Sequence, residues 1–362
     1  MKNTKSNKDR KNSRFSFSKK SWRYLILMLI LGLAVHVLLP QITTLEKSVK
    51  VIKEMRWWAL GLAVISQVIS YFGSGYLIKA IVGVFKQKIS PVLGTIITLS
   101  SSSIGLVAGG MVGSGTATYR WLRSRNIKAQ AAGLAGTLPS LFNNILLVLV
   151  SIFGLVHLLI VHQLSTPQIV TFIVILVVLM SLVTLIYWGM KHRTSLTDWV
   201  VRLGSRWAGF RKREFEQQNI ESSLDDLFEA WDLMLAGAWR GPVMGAGINT
   251  LFDMLTLYFL FIAAGHAVSP GVLLAGYGLP LLLGKAAFVL PGGVGIVEST
   301  MAALYDGLGV PDSVTVIVVL IYRILSFWLP TILGFPLIAY LQRSKKPADE
   351  GIRNDNLEHL AE

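Results

Sequence analysis

Leu279 to Leu304 reads LPLLLGKAAFVLPGGVGIVESTMAAL, and the fold turns on how this stretch is read. It is apolar enough to lie in a membrane, yet it carries Lys285, Glu298 and the helix-breaking run Pro291, Gly292, Gly293. About a dozen apolar residues stand on each side of the break, whereas a bilayer crossing takes roughly 20 helical residues. The stretch is therefore expected to enter the membrane, turn and return to the side it came from. Irregular backbone at membrane depth is tolerated only where protein or a water-filled cavity satisfies its N–H and C=O groups, so the turn should line an interior space. Charged side chains at that depth mark a functional site by default.

The 362-residue chain around it is 53% hydrophobic and 15% charged, with a mean hydropathy of +0.58. That is too apolar for a water-soluble protein. The apolar residues fall into runs of roughly 18 to 25, the length of membrane-spanning helices. Cysteine is absent, which excludes disulfides, thiolate metal sites and thiol nucleophiles. The formal charge of +14 has a telling distribution: residues 1–23 hold nine Lys and Arg against Asp9 alone, in a Ser- and Asn-rich stretch of disordered composition. A basic run beside a membrane helix sets cytoplasmic orientation and touches anionic lipid. No nucleic-acid-binding motif accompanies it, so no nucleic-acid partner is expected. Residues 24–39 lack a small-residue cleavage pattern before Pro40 and read as a span, not a signal peptide.

The expected fold class is all-α, a polytopic helical membrane protein with about six full spans and two re-entrant hairpins arranged as an inverted repeat. Spans are expected near residues 22–40, 57–79, 129–156, 167–190, 243–264 and 313–341, with Trp22, Trp57, Trp58, Trp188 and Trp239 near their ends, where amphipathic rings settle at headgroup level. Segments 89–119 and 269–306 are too long for one crossing and too short for two. Both flanks of the first are basic, and those of the second hold no Lys or Arg, so the hairpins should open on opposite sides. Of the 34 Lys and Arg, 28 then face the cytoplasm, four lie outside (Lys47, Lys50, Lys53, Arg56) and two, Lys285 and Arg323, lie within the membrane. The four outside fit an interfacial helix carrying Ile42, Leu45, Val49 and Ile52 on one face.

Two short matches suggest the repeat. Ile89, Ser90 and Pro91 recur as Val268, Ser269 and Pro270, and Gly109–Gly110 before Tyr119 recurs as Gly292–Gly293 before Tyr305, at offsets of 179 to 186 residues. The domain plan is a basic tail at 1–21, a membrane domain at 22–342 and a polar cytoplasmic tail at 343–362. Within the membrane domain lie repeat one (about 57–156), a cytoplasmic connector (191–240) and repeat two (about 243–341). In the connector, Leu196, Trp199, Val200, Leu203, Trp207 and Phe210 keep helical spacing, as expected of a helix on the inner leaflet. A second amphipathic stretch, Leu224 to Asp232, reads as a docking helix.

Asp253, Lys285, Glu298 and Arg323 are the ionisable residues at membrane depth in the second half, and unpaired charge in hydrocarbon costs at least about 2.5 kcal/mol per group. They should meet one another or a ligand. One reading is a headgroup cavity in which Lys285 and Arg323 receive an anion while Glu298 and Asp253 hold them or bind a cationic portion; the other is a structural ion-pair network. Pro291, Gly292 and Gly293 offer either freed N–H groups to an anion at a helix start or only the geometry of a turn. Arg120, with Arg123 and Arg125, is an orientation signal first and a headgroup contact second. The Gly105, Gly109, Gly113 and Gly237, Gly241, Gly245 stripes suit close helix packing. Ser100 to Ser103 either satisfy helix backbone or line a hydrated path, and Asn143 and Asn144 suit interhelical hydrogen bonds. No hydrolase elbow, phosphate-binding loop or zinc-protease His pair is present, and no catalytic residue, cofactor or metal is expected.

Leu290 to Glu298 (LPGGVGIVE), followed by Tyr322–Arg323 and by Phe327, Trp328, Leu329 and Pro330, resembles the transmembrane region of the lysylphosphatidylglycerol synthase, or flippase-like, family of bacterial membrane proteins. The likeness covers approximately residues 20–342 and is looser in the first half, through Gly109–Gly110, Gly113 and Tyr119–Arg120. Many members carry Pro-x-Arg-x-Gly-Glu where this chain has Gly109 to Thr116, GGMVGSGT. The resemblance implies re-entrant helices and lipid translocation as in the best understood relatives; the basic flanks place both termini inside, at the cytoplasmic membrane. Those relatives also carry a soluble aminoacyltransferase domain, which is not expected here because only a polar tail follows Leu341. The expected function is translocation of a phospholipid or other phosphate-bearing amphiphile, with an anionic membrane lipid as partner and a homo-oligomer or partner enzyme left open. A lipid-modifying transferase, or its membrane subunit, and an envelope-assembly scaffold are the alternatives.

Overall fold

The apolar runs fold as helices in a computed structural model of the chain, which describes residues 51–107, 110–161, 166–211, 237–286 and 291–343 and isolated positions between 221 and 232. The expected span at 22–40, both tails and most of the interfacial stretch lie outside the described residues. The helices are α1 (Trp57–Val84), α2 (Pro91–Val107), α3 (Met111–Arg123), α4 (Ala129–Val161), α5 (Thr166–Lys191), α6 (Arg193–Arg211), α7 (Arg240–Ala263), α8 (Pro270–Ala286), α9 (Ile296–Gly307), α10 (Asp312–Arg323) and α11 (Leu329–Arg343). A π-helical turn, Ile324–Trp328, joins α10 to α11, so the two run as one apolar helix, Asp312–Arg343. No strand occurs among the described residues.

Among the described residues, four helices are long and apolar enough to cross a membrane: α1, α4, α7 and the joined α10–α11. They match four of the six expected spans within a few residues. The expected span at 167–190 forms α5, whose clearest apolar run is Ile169–Ser181 and whose Val174, Val177, Val178 and Leu185 are exposed, as lipid contact requires.

The two intermediate segments are antiparallel helix pairs. In the first, α2 and α3 close on each other through Ser101 Oγ and Thr118 Oγ1, 2.7 Å apart. In the second, α8 and α9 close through Gly276 beneath the Tyr305 ring and Gly284 beneath Val297, sites where a Cβ would overlap the facing side chain. The first arms have 17 residues each and reach about 25 Å, short of the roughly 30 Å hydrocarbon core. The tip of the second hairpin, Pro291–Gly293, packs on α2 of the first.

Lengths run 28, 17, 13 and 33 residues in α1 to α4, against 24, 17 and 12 in α7 to α9 and 32 in α10–α11. α1 and α7 cross antiparallel in the interior, since Ala63, Gln67, Ser70 and Leu77 meet Thr256, Asp253, Asn249 and Gly245 in turn. Asn249 Nδ2 donates to Ser70 Oγ (2.9 Å) across a separation of 179 residues, the same offset that relates Pro91 to Pro270. Each hairpin's first arm packs on the last span of the other half, α8 on α4 and α2 on α10–α11. Both contacts use small residues: Gly154 faces the backbone of Ala275, and Gly334 faces Leu99 and Ser103, whose Oγ donates to Thr331 O (2.6 Å). Ser103 and Ser101 thus satisfy helix packing at these contacts.

Gly245 lies so close to α1 that a Cβ would stand 2.7 Å from the Leu77 backbone. Gly245→Val is therefore expected to cost about 1–3 kcal/mol by overpacking and to lower the melting temperature in detergent by several degrees. An unchanged melting temperature would mean that α1 and α7 do not cross there.

On the connector, α6 exposes Trp199 and Leu203, the apolar face expected to lie on the leaflet. Arg193 at the start of α6 donates from Nη1 and Nη2 to Asp232 (2.9 and 2.5 Å) and stacks on Phe228. The hydrogen bonds from this guanidinium, then its charge, hold the Asp232 carboxyl below its ordinary value. A depressed carboxylate stabilises docking above its unfolded pKa and loses that contribution as pH falls through the lower folded value. Protease nicking between residues 211 and 232 should thus be indifferent to pH near neutrality, and rise in acid below the usual carboxylate range or at high salt.

Candidate functional site

Polar side chains gather in the middle thirds of the four long spans. On α7, Asp253 is partly buried and accepts three hydrogen bonds: Gln67 Nε2 of α1 to Oδ1 (3.0 Å), and the hydroxyls of Tyr277 in α8 (2.9 Å) and Tyr322 in α10 (2.7 Å) to Oδ2. Gln67, Tyr277 and Tyr322 are themselves almost fully buried. A carboxylate is acceptor-only, so three converging donors answer its desolvation. One turn along α1 from Gln67, Tyr71 donates its hydroxyl to Leu325 O in the π-helical turn, where the altered register frees a carbonyl that an α-helix would use internally.

Arg323 ends α10 with 5% of its side chain exposed. Its Nε donates to Glu298 Oε1 (2.6 Å), its Nη2 to Gly292 O (2.9 Å), and its Cζ lies 4.5 Å from the Phe327 ring centroid. The second carboxylate oxygen, Glu298 Oε2, accepts the backbone N–H of Gly295 at the start of α9 (2.7 Å). Pro291 to Gly293 form a 3-10 turn in which Gly292 and Gly293 have φ near +65°, and Gly295 has φ +87°, a region glycine enters without strain. A side chain at Gly292 would also overlap the Phe327 ring. Glycine is required at the tip by conformation and by space alike.

The expected charges are therefore brought together selectively. Arg323 and Glu298 form an ion pair, and that pair clamps the hairpin tip. At the start of α9 the chain's own Glu298 carboxylate accepts the Gly295 N–H, and Arg323 has committed Nε, Nη2 and one ring face. Lys285 does not join them. It is exposed in the last turn of α8, and its Nζ donates to Asn144 Oδ1 (2.7 Å) near the midpoint of α4. A cation level with the middle of a 33-residue span, exposed and held by a neutral amide, keeps N–H donors for an anion. Arg120 lies exposed in the last turn of α3, at the base of the first hairpin and far along the helix from its tip.

Residues 22–334 match the family described as Lysylphosphatidylglycerol synthase TM region, a stretch that includes Gln67, Asn144 and every residue of the second-half cluster. The chain belongs to this family. Among curated proteins it is similar to UPF0104 membrane proteins of three archaea. The Methanocaldococcus jannaschii protein is 24% identical over 46% of this chain and 50% of its own length, and that of Methanothermobacter thermautotrophicus 26% over 56% and 60%. The Pyrococcus horikoshii protein is 34% identical over 24% and 25%. The chain thus spans half to three fifths of the first two relatives' length. It is an integral membrane protein of a family that is not confined to bacteria.

Four members of the site in this lysylphosphatidylglycerol synthase TM region were not foreseen as site residues: Gln67, Tyr71, Tyr277 and Tyr322. A signal for the first two existed. Gln67 and Tyr71 stand four apart in the middle of an apolar run, on one helical face, where a polar pair is costly unless it meets partners.

Proposed function

We propose that this chain moves an amphiphile with a phosphate-bearing headgroup between the membrane leaflets. The observation that carries this reading is Lys285: an exposed lysine in the last turn of a short hairpin arm, its Nζ held by Asn144 near the midpoint of the long apolar helix α4. An exposed cation there is costly unless water or an anion reaches it. In this reading the hairpins are re-entrant and the two halves form an inverted repeat, with both termini and the connector on the cytoplasmic side. The antiparallel α1–α7 crossing about Ser70 and Asn249, and the exchange of hairpin arms between halves, support a twofold relation lying in the membrane plane. The headgroup passes along the polar face near Lys285 while its acyl chains stay in lipid. Arg323 and Glu298 hold the tip in place and do not touch the passenger.

Purified protein in vesicles of phosphatidylethanolamine and phosphatidylglycerol, with a trace of fluorescent phosphatidylglycerol, tests this. Protein-dependent exposure of the inner-leaflet probe to an outside quencher is expected; a rate equal to that of protein-free vesicles refutes the proposal. The family description also favours a second reading, the membrane part of a lipid-modifying synthase. A lipid species present only in cells that make the protein would identify that activity.

A further inference from the structure

We propose that Asp253 is a proton-binding site through which the chain couples its transport to a proton gradient. This rests on the translocation reading. The geometry around the carboxylate supplies the argument. In the arrangement seen, Gln67 donates to Oδ1 through Nε2, and its other terminal atom, Oε1, is buried with no hydrogen-bond partner. A half-turn of the amide exchanges the two atoms at nearly the same position. Gln67 then becomes an acceptor, 3.0 Å from a carboxyl that has gained an O–H and needs one. The residue can thus partner both states of Asp253, whereas a purely structural carboxylate would be matched by a second donor with no orphaned oxygen.

Protonation also changes what the site holds. A carboxylate accepts from Gln67, Tyr277 and Tyr322 together, but a neutral carboxyl has a weak acceptor at its hydroxyl oxygen. With the proton on Oδ1 and donated to Gln67, Oδ2 is left as a neutral carbonyl, and the Tyr277 and Tyr322 hydrogen bonds to it lose their charge-assisted strength. Tyr322 precedes Arg323, the residue that clamps Gly292 and Glu298, so a shift of α10 reaches the hairpin tip directly. The other ionisable groups facing Asp253 are Tyr71 on α1, Lys285 on α8 and Arg323 on α10, with Glu298 neutralising the last. Asp253 as a whole residue is partly buried, and its partners Gln67, Tyr277 and Tyr322 are buried around the carboxylate.

The test uses the full chain in the same phosphatidylethanolamine and phosphatidylglycerol vesicles. A gradient of one pH unit, imposed in either direction, is expected to change the net probe movement by up to about tenfold for one proton per lipid. Asp253→Asn should lose this response and Asp253→Glu keep it. Infrared difference spectra should show a neutral carboxyl band that grows with acid, shifts on carbon-13 labelling of aspartate and is missing in Asp253→Asn. Should the Asn variant fail to fold, the labelled wild type and Asp253→Glu still decide. Lipid movement indifferent to the gradient, or still gradient-dependent in Asp253→Asn, overturns the coupling and leaves translocation standing. A titrating band without any lipid movement keeps the proton site and removes the translocation reading; absence of both removes both.

Discussion

Arg323→Ala is expected to lose about 3–5 kcal/mol of stability, because it leaves Glu298 as a partly buried carboxylate without its cation. The Gly292 carbonyl loses its donor and the Phe327 ring loses the guanidinium above it in the same step. Glu298→Gln should cost less, since the amide oxygen can still accept from Gly295 or from Arg323. The double variant Arg323→Met, Glu298→Leu should recover much of the loss by removing both charges at once. A double-mutant cycle on melting temperature and on urea midpoint in detergent measures the coupling. If Arg323→Ala alone melts with the wild type, the guanidinium is not clamping the tip and belongs to the passenger after all.

The sequence exposed the scale of the fold more fully than its contacts. Apolar run lengths placed α1, α4, α7 and α10–α11 within a few residues, because the hydrocarbon thickness imposes that length on any span. The shortness of the segments around Pro91 and Pro270 marked the hairpins for the same reason. Glu298 and Arg323 were legible as a site because unpaired charge at that depth is so costly, but their division of labour from Lys285 was not. That division depends on which face of each helix turns inward, and an all-round apolar helix carries little periodicity to reveal it. The partners of Asp253 lie 186, 24 and 69 residues away in the chain, and Lys285 finds Asn144 at 141. Such pairs arise from the crossing of whole helices, set by small residues such as Gly154, Gly245 and Gly334, whose stripes look alike wherever they pack. The π-helical turn at Ile324–Trp328 likewise has no sequence mark of its own; Tyr71 stabilises it from another helix.

Lys285→Ala should show the reverse pattern from Arg323→Ala. Lys285 is exposed, and its one hydrogen bond is to a neutral amide, so folding should change by no more than about 0.5 kcal/mol. A charged hydrogen bond to a phosphate is worth about 1.5–3 kcal/mol, so its loss should slow lipid movement about 10- to 100-fold at equal amounts of folded protein. Lys285→Arg keeps the charge and should retain most of the rate, while Lys285→Glu repels the phosphate and should abolish movement. Asn144→Ala leaves the charge but frees the side chain from its anchor, so its effect should be intermediate and should vanish in the Lys285→Ala background. The contrast separates a residue that touches the passenger from one that shapes its path: the first changes rate without stability, the second stability before rate. A Lys285→Ala protein that melts early yet moves lipid normally per folded molecule would place this lysine in the scaffold, and the headgroup path would have to run elsewhere.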